Sequence, residues 1–392
     1  MTEIILARGV RTPFGDFGKS LRDTSLTELG VHAARAAIDR AGLNPGKIDH
    51  LVFGNVLPVD GDGHFISRRV ALGAGLAVES SALGVNRACA SGSEAIAAAA
   101  RLILAGDSAI GLAAGGENFS RAPYVLRSSR WATKRGPLLL EDGLDSVYRC
   151  AFSGAYMGET AELLAERFGY QRSEMDEWAL RSQIRARHAI ENGFLAKQIV
   201  PITVKEKGED RLFAVDEYVR LDTSRERLAK LRSAFRKDGK VTAGNASGVT
   251  DGAAAIVVAD RRAAEKSGIE PAARLVAVAT AGVPPEIMGA GPVPAITKLL
   301  ERQGLQVDDI DYWEINEAFA AVNIHVERQL GVSPEKTNLY GGGMSIGHPP
   351  GATGIRMTLT AIDHLAETGG RFAIVSMCVG GGQGMASLIE RI

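Results

Sequence analysis

The sequence predicts an α/β protein built from two similar stacked halves, with a segment of different character inserted between them. Three observations carry this expectation. Short apolar runs bounded by glycine alternate with alanine-rich stretches, as at 50–57, 93–104 and 108–114, the pattern of buried strands alternating with helices. The same order of parts occurs twice along the chain, which points to two α/β units sharing a centre. Residues 120–245 interrupt that order with charged, irregular sequence. The expected units are 1–119 with 246–270, an inserted loop domain at 120–245, and 271–392.

In order, the first copy reads as a strand near Ile4, a helix over 26–41, an Asn-Pro loop and the apolar run HLVFGNVL at 50–57. A Gly/Cys turn at Cys89 follows, then a helix in strong helix formers and the run AIGLAAGGEN. The insertion opens with a basic stretch at 121–136. It then offers a helix with Ser173 as N-cap, Asp176 three residues on, and a stop at Asn192-Gly193. Residues 251–268 return to strand then helix and complete the first half. The second copy reads as a strand over 275–279, a helix over 294–303, and the run DIDYWEINEAF. A Gly-rich turn at His348, a helix and AIVSMCVGGGQG complete it.

Hydrophobic residues make up 45% and charged residues 23% of 392, enough apolar surface for a large core. Lys+Arg is 45 against Asp+Glu 46, a balance that disfavours nucleic acid or an anionic membrane as the main partner. No run of about 18 uncharged apolar residues occurs, and neither end reads as a targeting or lipidation signal. Three widely spaced cysteines and no Cys-x-x-Cys or His-Glu-x-x-His suggest reduced thiols, a cytoplasmic protein and no metal.

Several residues stand out chemically. Cys89 lies just before a helix, where free N–H groups lower a thiol pKa. His348 sits in GGGMSIGHPPGATG, a turn that lets backbone approach a substrate. It lacks the Lys and Ser/Thr of a phosphate loop. Cys378 ends an apolar run before three glycines, beside backbone N–H groups. No G-x-G-x-x-G supports a dinucleotide fold. Asn316 reads as the N-cap of a helix or as an amide orienting a water or oxyanion. The run 225–240 carries seven basic and two acidic residues, a solvated face or a grip for phosphates. A nucleophilic cysteine, a histidine base and a second cysteine for another proton are what carbon–carbon bond formation between thioesters requires.

The motifs N-x-x-C-A-S-G at Asn86, GNASG-x-x-DGAAA at Gly244, NEAFA at Asn316, GHP-x-GATG at Gly347 and C-x-GGGQG at Cys378 resemble those of the thiolase family. The resemblance implies a five-layered α-β-α-β-α fold and a dimer, often paired into a tetramer through the loop domain. It makes Cys89 the acylated nucleophile, His348 its base, and Cys378 the acid/base at C2 of a second acetyl-CoA. Asn316, through a water, and His348 would form one oxyanion hole. The N–H groups of Cys89 and Gly380 would form the other. Ser247 would contact pantetheine, Arg220 the nucleotide end, and Tyr156, Met157 and Met288 the acyl group. Coenzyme A would be substrate and product, with no separate cofactor. The family's usual His-Met-Gly is Tyr156-Met157-Gly158 here, and Ser93 and Pro350 replace residues that are commonly more apolar. The expected activity is acetyl-CoA C-acetyltransferase, with a short acyl pocket narrowed by the Tyr156 ring. The alternatives are a broader 3-ketoacyl-CoA thiolase of fatty-acid or aromatic-acid degradation, a Cys-His-Asn hydrolase, and a non-catalytic acyl-CoA-binding protein.

Overall fold

In the computed structural model of the chain, the described residues are 2–61, 63–127, 129–131 and 135–392; positions 128 and 132–134 of the basic stretch lie outside them. The first half comprises β1 (Ile4–Leu6), α1 (Leu26–Arg40), β2 (His50–Gly54), β3 (Ser81–Val85), α2 (Ser91–Ala105) and β4 (Ile110–Glu117). Ser25 starts α1 by accepting the Glu28 N–H while the Glu28 carboxylate accepts the Ser25 N–H, a reciprocal cap. Gly106, at φ 85°, ends α2 in the left-handed turn that glycine adopts without strain.

The insertion contributes α3 (Met157–Arg167) and α4 (Arg172–Glu191) before β5 (Thr250–Asp260) closes the first half. The second half follows with β6 (Ala273–Gly282), α5 (Pro292–Gln303), β7 (Tyr312–Ile315), α6 (Ala320–Leu330), α7 (Pro350–Thr368), β8 (Phe372–Val379) and β9 (Gln383–Arg391). The repeat holds at the level of pairing. β2 runs parallel to β4, as β7 does to β8. β5 returns antiparallel to β4, as β9 does to β8. β1 then pairs with β5, as β6 does with β9. The counterpart of β3 in the second half is a single parallel bridge, Trp313 to Thr337.

The strand order is β7-β8-β9-β6-β1-β5-β4-β2-β3. β1 joins the halves, because Ile5 faces Ala259 of β5 on one side and Arg274 of β6 on the other. Helix α1 covers the outer face of the first half and α5 that of the second, while α2 and α7 pack against each other between the two sets of strands. These are the five layers. The central contact is glycine-made: a Cβ on Gly92 of α2 would lie 2.6 Å from the Gly351 carbonyl of α7, and one on Gly351 would lie 2.3 Å from the Gly54 carbonyl. Residues 88–105 are long and apolar enough to span a bilayer by length and composition. They include Glu94 and Arg101, and 91–105 of them are α2, packed in the centre of the protein.

Two expected helix starts are corrected. Helix α4 begins two residues early, with Gln171 rather than Ser173 at the cap, because Glu174 is placed to accept the Gln171 N–H. Asp176 instead pairs with Arg172 and accepts from Asn245. Helix α6 begins at Ala320 after Phe319, so Asn316 is not its N-cap. Of the basic run, only Arg225–Ala229 is helical. The insertion also reaches the first half: Ile202, Val204 and Phe213 pack in the core cluster that includes Leu29, Ile38 and Val257.

Candidate active site

The Cys89 turn is built by its own motif. Asn86 Oδ1 accepts the Ala88 N–H at 2.9 Å, and Ser91 Oγ accepts the Arg87 N–H at 2.9 Å while donating to the Ala88 carbonyl at 2.7 Å. These bonds hold Ala88 at φ 43°, a left-handed conformation that costs a non-glycine residue about 1–3 kcal/mol. The kink puts Cys89 two residues before Ser91, where α2 begins. Two N–H groups, those of Gly380 and of Cys89 itself, bond the sulfur. Cys89 keeps some solvent contact, but burial outweighs those two bonds and pushes its thiol above the ordinary value. The expected lowering is thus corrected: desolvation disfavours the anion more than the two donors favour it.

Cys378 is the seventh residue of β8, opposite Gly384 of β9. It is fully buried. Burial first, and then the nearby charge of Cys89, push its thiol well up. A Cβ on Gly380, two residues on, would lie 3.9 Å from the Ala88 side chain, so the turns that carry the two cysteines adjoin.

His348 is buried in the turn before α7, and Pro350 occupies the first position of that helix. Its tautomer follows from its neighbours. Thr353 Oγ1 donates to the Pro349 carbonyl at 2.9 Å, so it accepts from His348 Nδ1–H at 2.8 Å. Nε2 therefore carries the lone pair, and Asn316 Nδ2 donates to it at 3.3 Å. Burial, with Arg356 second, lowers the imidazole to about 3, so it is neutral with its lone pair on Nε2. Asn316 Oδ1 is buried with no protein partner among the described residues.

The remaining expected residues fall around this set. Ser247 N–H donates to the Ala318 carbonyl at 2.9 Å, and the next residue, Gly248, accepts the His348 N–H. Met157 and Met288 share an apolar cluster with Cys378, and Met157 Sδ lies 3.6 Å from where a Gly380 side chain would begin. The Tyr156 hydroxyl finds its partner in Arg149, at 2.5 Å on the exposed side of the loop. Arg220 stacks over Tyr218 at 5.0 Å, and its guanidinium donates to Asp16 at 3.3 Å. Arg225, Arg227 and Arg236 of the basic run pair with Glu177, Asp222 and Glu166, which accounts for much of that run as solvated surface. No cluster of metal-ligating side chains occurs among the described residues.

Sequence reasoning missed the groups that hold this site. Thr353 sets the His348 tautomer. Arg356 is fully buried and pairs with Glu314; a single charge among the small, apolar and threonine residues at 350–362 was the available signal. Glu117 accepts the N–H groups of Val56, Leu57 and Gly351, bridging the two halves. Tyr148 lies within reach of the Cys89 and Glu117 charges.

Comparison with known proteins settles the family. The thiolase N-terminal domain model matches residues 4–262 and the thiolase C-terminal domain model residues 269–391. The chain belongs to the thiolase family. This thiolase is an acyltransferase. It is 44% identical over 391 residues to the beta-ketothiolase BktB of Cupriavidus necator, covering 100% of this chain and 99% of that one. It is 42% identical to an acetyl-CoA acetyltransferase of Syntrophomonas wolfei, covering 100% and 99%. Its fold superposes on human mitochondrial 3-ketoacyl-CoA thiolase in complex with CoA with a TM-score of 0.97 at 40% identity, covering 100% and 98%.

Proposed function

We propose that this thiolase is an acetyl-CoA C-acetyltransferase working by a ping-pong route: it condenses two acetyl-CoA to acetoacetyl-CoA and cleaves acetoacetyl-CoA with CoA. The observations that carry the reading are that Cys89 stands just before α2 and His348 just before α7, helices that touch at Gly92 and Gly351, that Cys378 lies in reach of the Cys89 charge, and that the imidazole keeps its proton on Nδ1 and its lone pair on Nε2.

Cys89 Sγ attacks the acetyl carbonyl carbon while His348 Nε2 takes the thiol proton. The oxyanion collapses, the carbon–sulfur bond to CoA breaks, and the CoA sulfur takes the proton from Nε2. Acetylation removes a thiol whose ionisation would disfavour that of Cys378. Cys378, after losing its own proton to solvent, takes a C2 proton from the second acetyl-CoA, and the carbanion attacks the acetyl-Cys89 carbonyl. The Cys89 sulfur leaves and takes that proton from Cys378 as acetoacetyl-CoA forms. The N–H groups of Cys89 and Gly380 suit the oxyanion on Cys89. The orphaned Oδ1 of Asn316 supports an amide that works through a water, beside His348, at the thioester oxygen of the second substrate. Ser247 would hold pantetheine and Arg220 the nucleotide end, with Met157 and Met288 against the acyl group. The CoA complex of the human relative supports CoA binding; the scheme takes CoA as substrate and product and invokes no further cofactor. Free cysteines suit the cytoplasm. The open edge of β3 and exposed Leu138, Leu139 and Leu140 suit a homodimer or homotetramer.

A thioester-cleavage assay with and without CoA separates this from hydrolysis or simple binding. Cleavage of acetoacetyl-CoA should require CoA, and acetyl-CoA should label Cys89 alone in peptide maps. Cys378→Ala should still take the label but lose condensation. Label on Cys150, or condensation by Cys378→Ala near the wild-type rate, would refute the scheme. A broader 3-ketoacyl-CoA range is the second reading, favoured by the outward position of Tyr156.

A further inference from the structure

The loop from Asp145 to Tyr156 stands over the glycine turn that follows Cys378. The ring of Phe152 lies 3.6 Å from where a side chain on Gly381 would begin. Arg149 fixes the loop from within. Its Nη2 donates to the Tyr156 hydroxyl at 2.5 Å, its Nε to the Asp145 carboxylate at 2.5 Å and its Nη1 to the Gly154 carbonyl at 3.1 Å. The guanidinium also lies over the Tyr156 ring, 3.9 Å from its centroid. A backbone bridge ties the two residues as well. One cation therefore holds both the ring and its hydroxyl, which seats a tyrosine far more firmly than either contact alone.

This arrangement faces outward. The side chains of Arg149 and Asp145 are 43% and 38% exposed. Position 157 turns the other way, with the Met157 sulfur toward Gly380 and the Cys378 cluster. Released from Arg149, the Tyr156 ring has an aromatic neighbour on the inner side, Phe235, whose centroid is 6.4 Å away. Phe235 itself packs on Gly158 and alongside Met157. A ring moved onto that side would pack against Met157, which on the reading above lies against the acyl group.

We propose that Arg149 is a specificity-determining positioning residue: by latching Tyr156 outward it keeps the far end of the acyl pocket open, so the enzyme accepts 3-ketoacyl-CoA substrates longer than four carbons. The proposal rests on the thiolase chemistry above and on the second, broader-range reading of its substrates. Arg149 touches no reacting atom and acts only through Tyr156.

The test is kcat/KM for CoA-dependent cleavage of four-, six- and eight-carbon 3-ketoacyl-CoA by the full-length enzyme and its variants. The wild type should cleave the six-carbon substrate within about threefold of the four-carbon one. Arg149→Met should leave the four-carbon value within about threefold and lower the six-carbon value at least about tenfold, since a methylene that no longer fits carries a penalty of that order. Arg149→Lys, which keeps a cation for Asp145 and a donor for the phenol, should restore most of the ratio. Tyr156→Phe, which loses the hydroxyl bond, should shift it in the same direction as Arg149→Met. Adding Tyr156→Ala to Arg149→Met should recover the longer substrates. Equal loss at every chain length in Arg149→Met, or a six-to-four ratio unmoved in both Arg149→Met and Tyr156→Phe, would overturn the latch. CoA-dependent cleavage absent at every length in the wild type would remove the thiolase reading and the latch with it.

Discussion

His348 is neutral for two reasons that act together: Thr353 fixes the proton on Nδ1, and burial, with the Arg356 charge behind, lowers the imidazole to about 3. A free histidine would lose its basic nitrogen as pH falls through about 6.5. Here the lone pair persists well below that. The rate of Cys89 acetylation should accordingly show no imidazole inflection between pH 6.5 and 5, which stopped-flow acylation would reveal; a half-loss near 6.5 would contradict the geometry. The residues of the candidate site were legible in the sequence because short glycine-rich motifs carry them. Their ionisation was not. A helix N-terminus argues for a lower Cys89 pKa, and only the three-dimensional density of protein around the sulfur reverses the sign. Asn316 failed as a cap for a related reason. Its N–H bonds the Ser376 carbonyl of β8, a partner 60 positions away that local sequence cannot display.

At the scale of elements, Cys89 precedes α2 and His348 precedes α7, and the two helices meet at glycines. A Cβ on Gly351 would fall within 2.3–2.6 Å of the Gly54 carbonyl and the Gly116 backbone, and backbone cannot step aside as a side-chain tip can. Gly351→Ala should therefore cost about 1–3 kcal/mol or more and depress acetylation of Cys89 beyond what the loss of stability explains. Thermal melts alongside single-turnover labelling would show both, and full activity in a stable variant would mean the contact is looser than drawn. The helices themselves were readable from alanine content and periodicity, as 26–41 and 93–104 were to within two residues. What the pattern does not carry is which helices touch, because the glycines that permit contact look the same as glycines that merely end a helix.

The whole molecule buries an unusual set of acids. Burial raises Glu117 to about 8, Glu314 and Glu327 to about 7, and Asp251 to about 6. Between its ordinary value and these, the folded chain holds protons that the unfolded chain has released, so their contribution to stability is full at low pH and lost as pH rises. The depressed imidazoles of His348 and His325 work in the opposite sense, but only below about 6.5. From pH 6.5 to 8 the carboxyl contribution stands unopposed, and Tm should fall across that interval at constant ionic strength; a flat or rising Tm would show that these carboxyls ionise normally.

The three-residue strand β1, paired on both edges, has a consequence for how the chain could be divided. Glu270, exposed between the halves, marks a place to cut that leaves β1 and Cys89 on one piece and His348 and Cys378 on the other. Neither piece would hold a complete reaction centre. Each would present the other with an open strand edge and one face of the α2–α7 contact, so co-expressed pieces would find each other by strand addition and helix docking. Recovered thioester cleavage would then report that the two had met, making the enzyme a split reporter whose signal is its own chemistry.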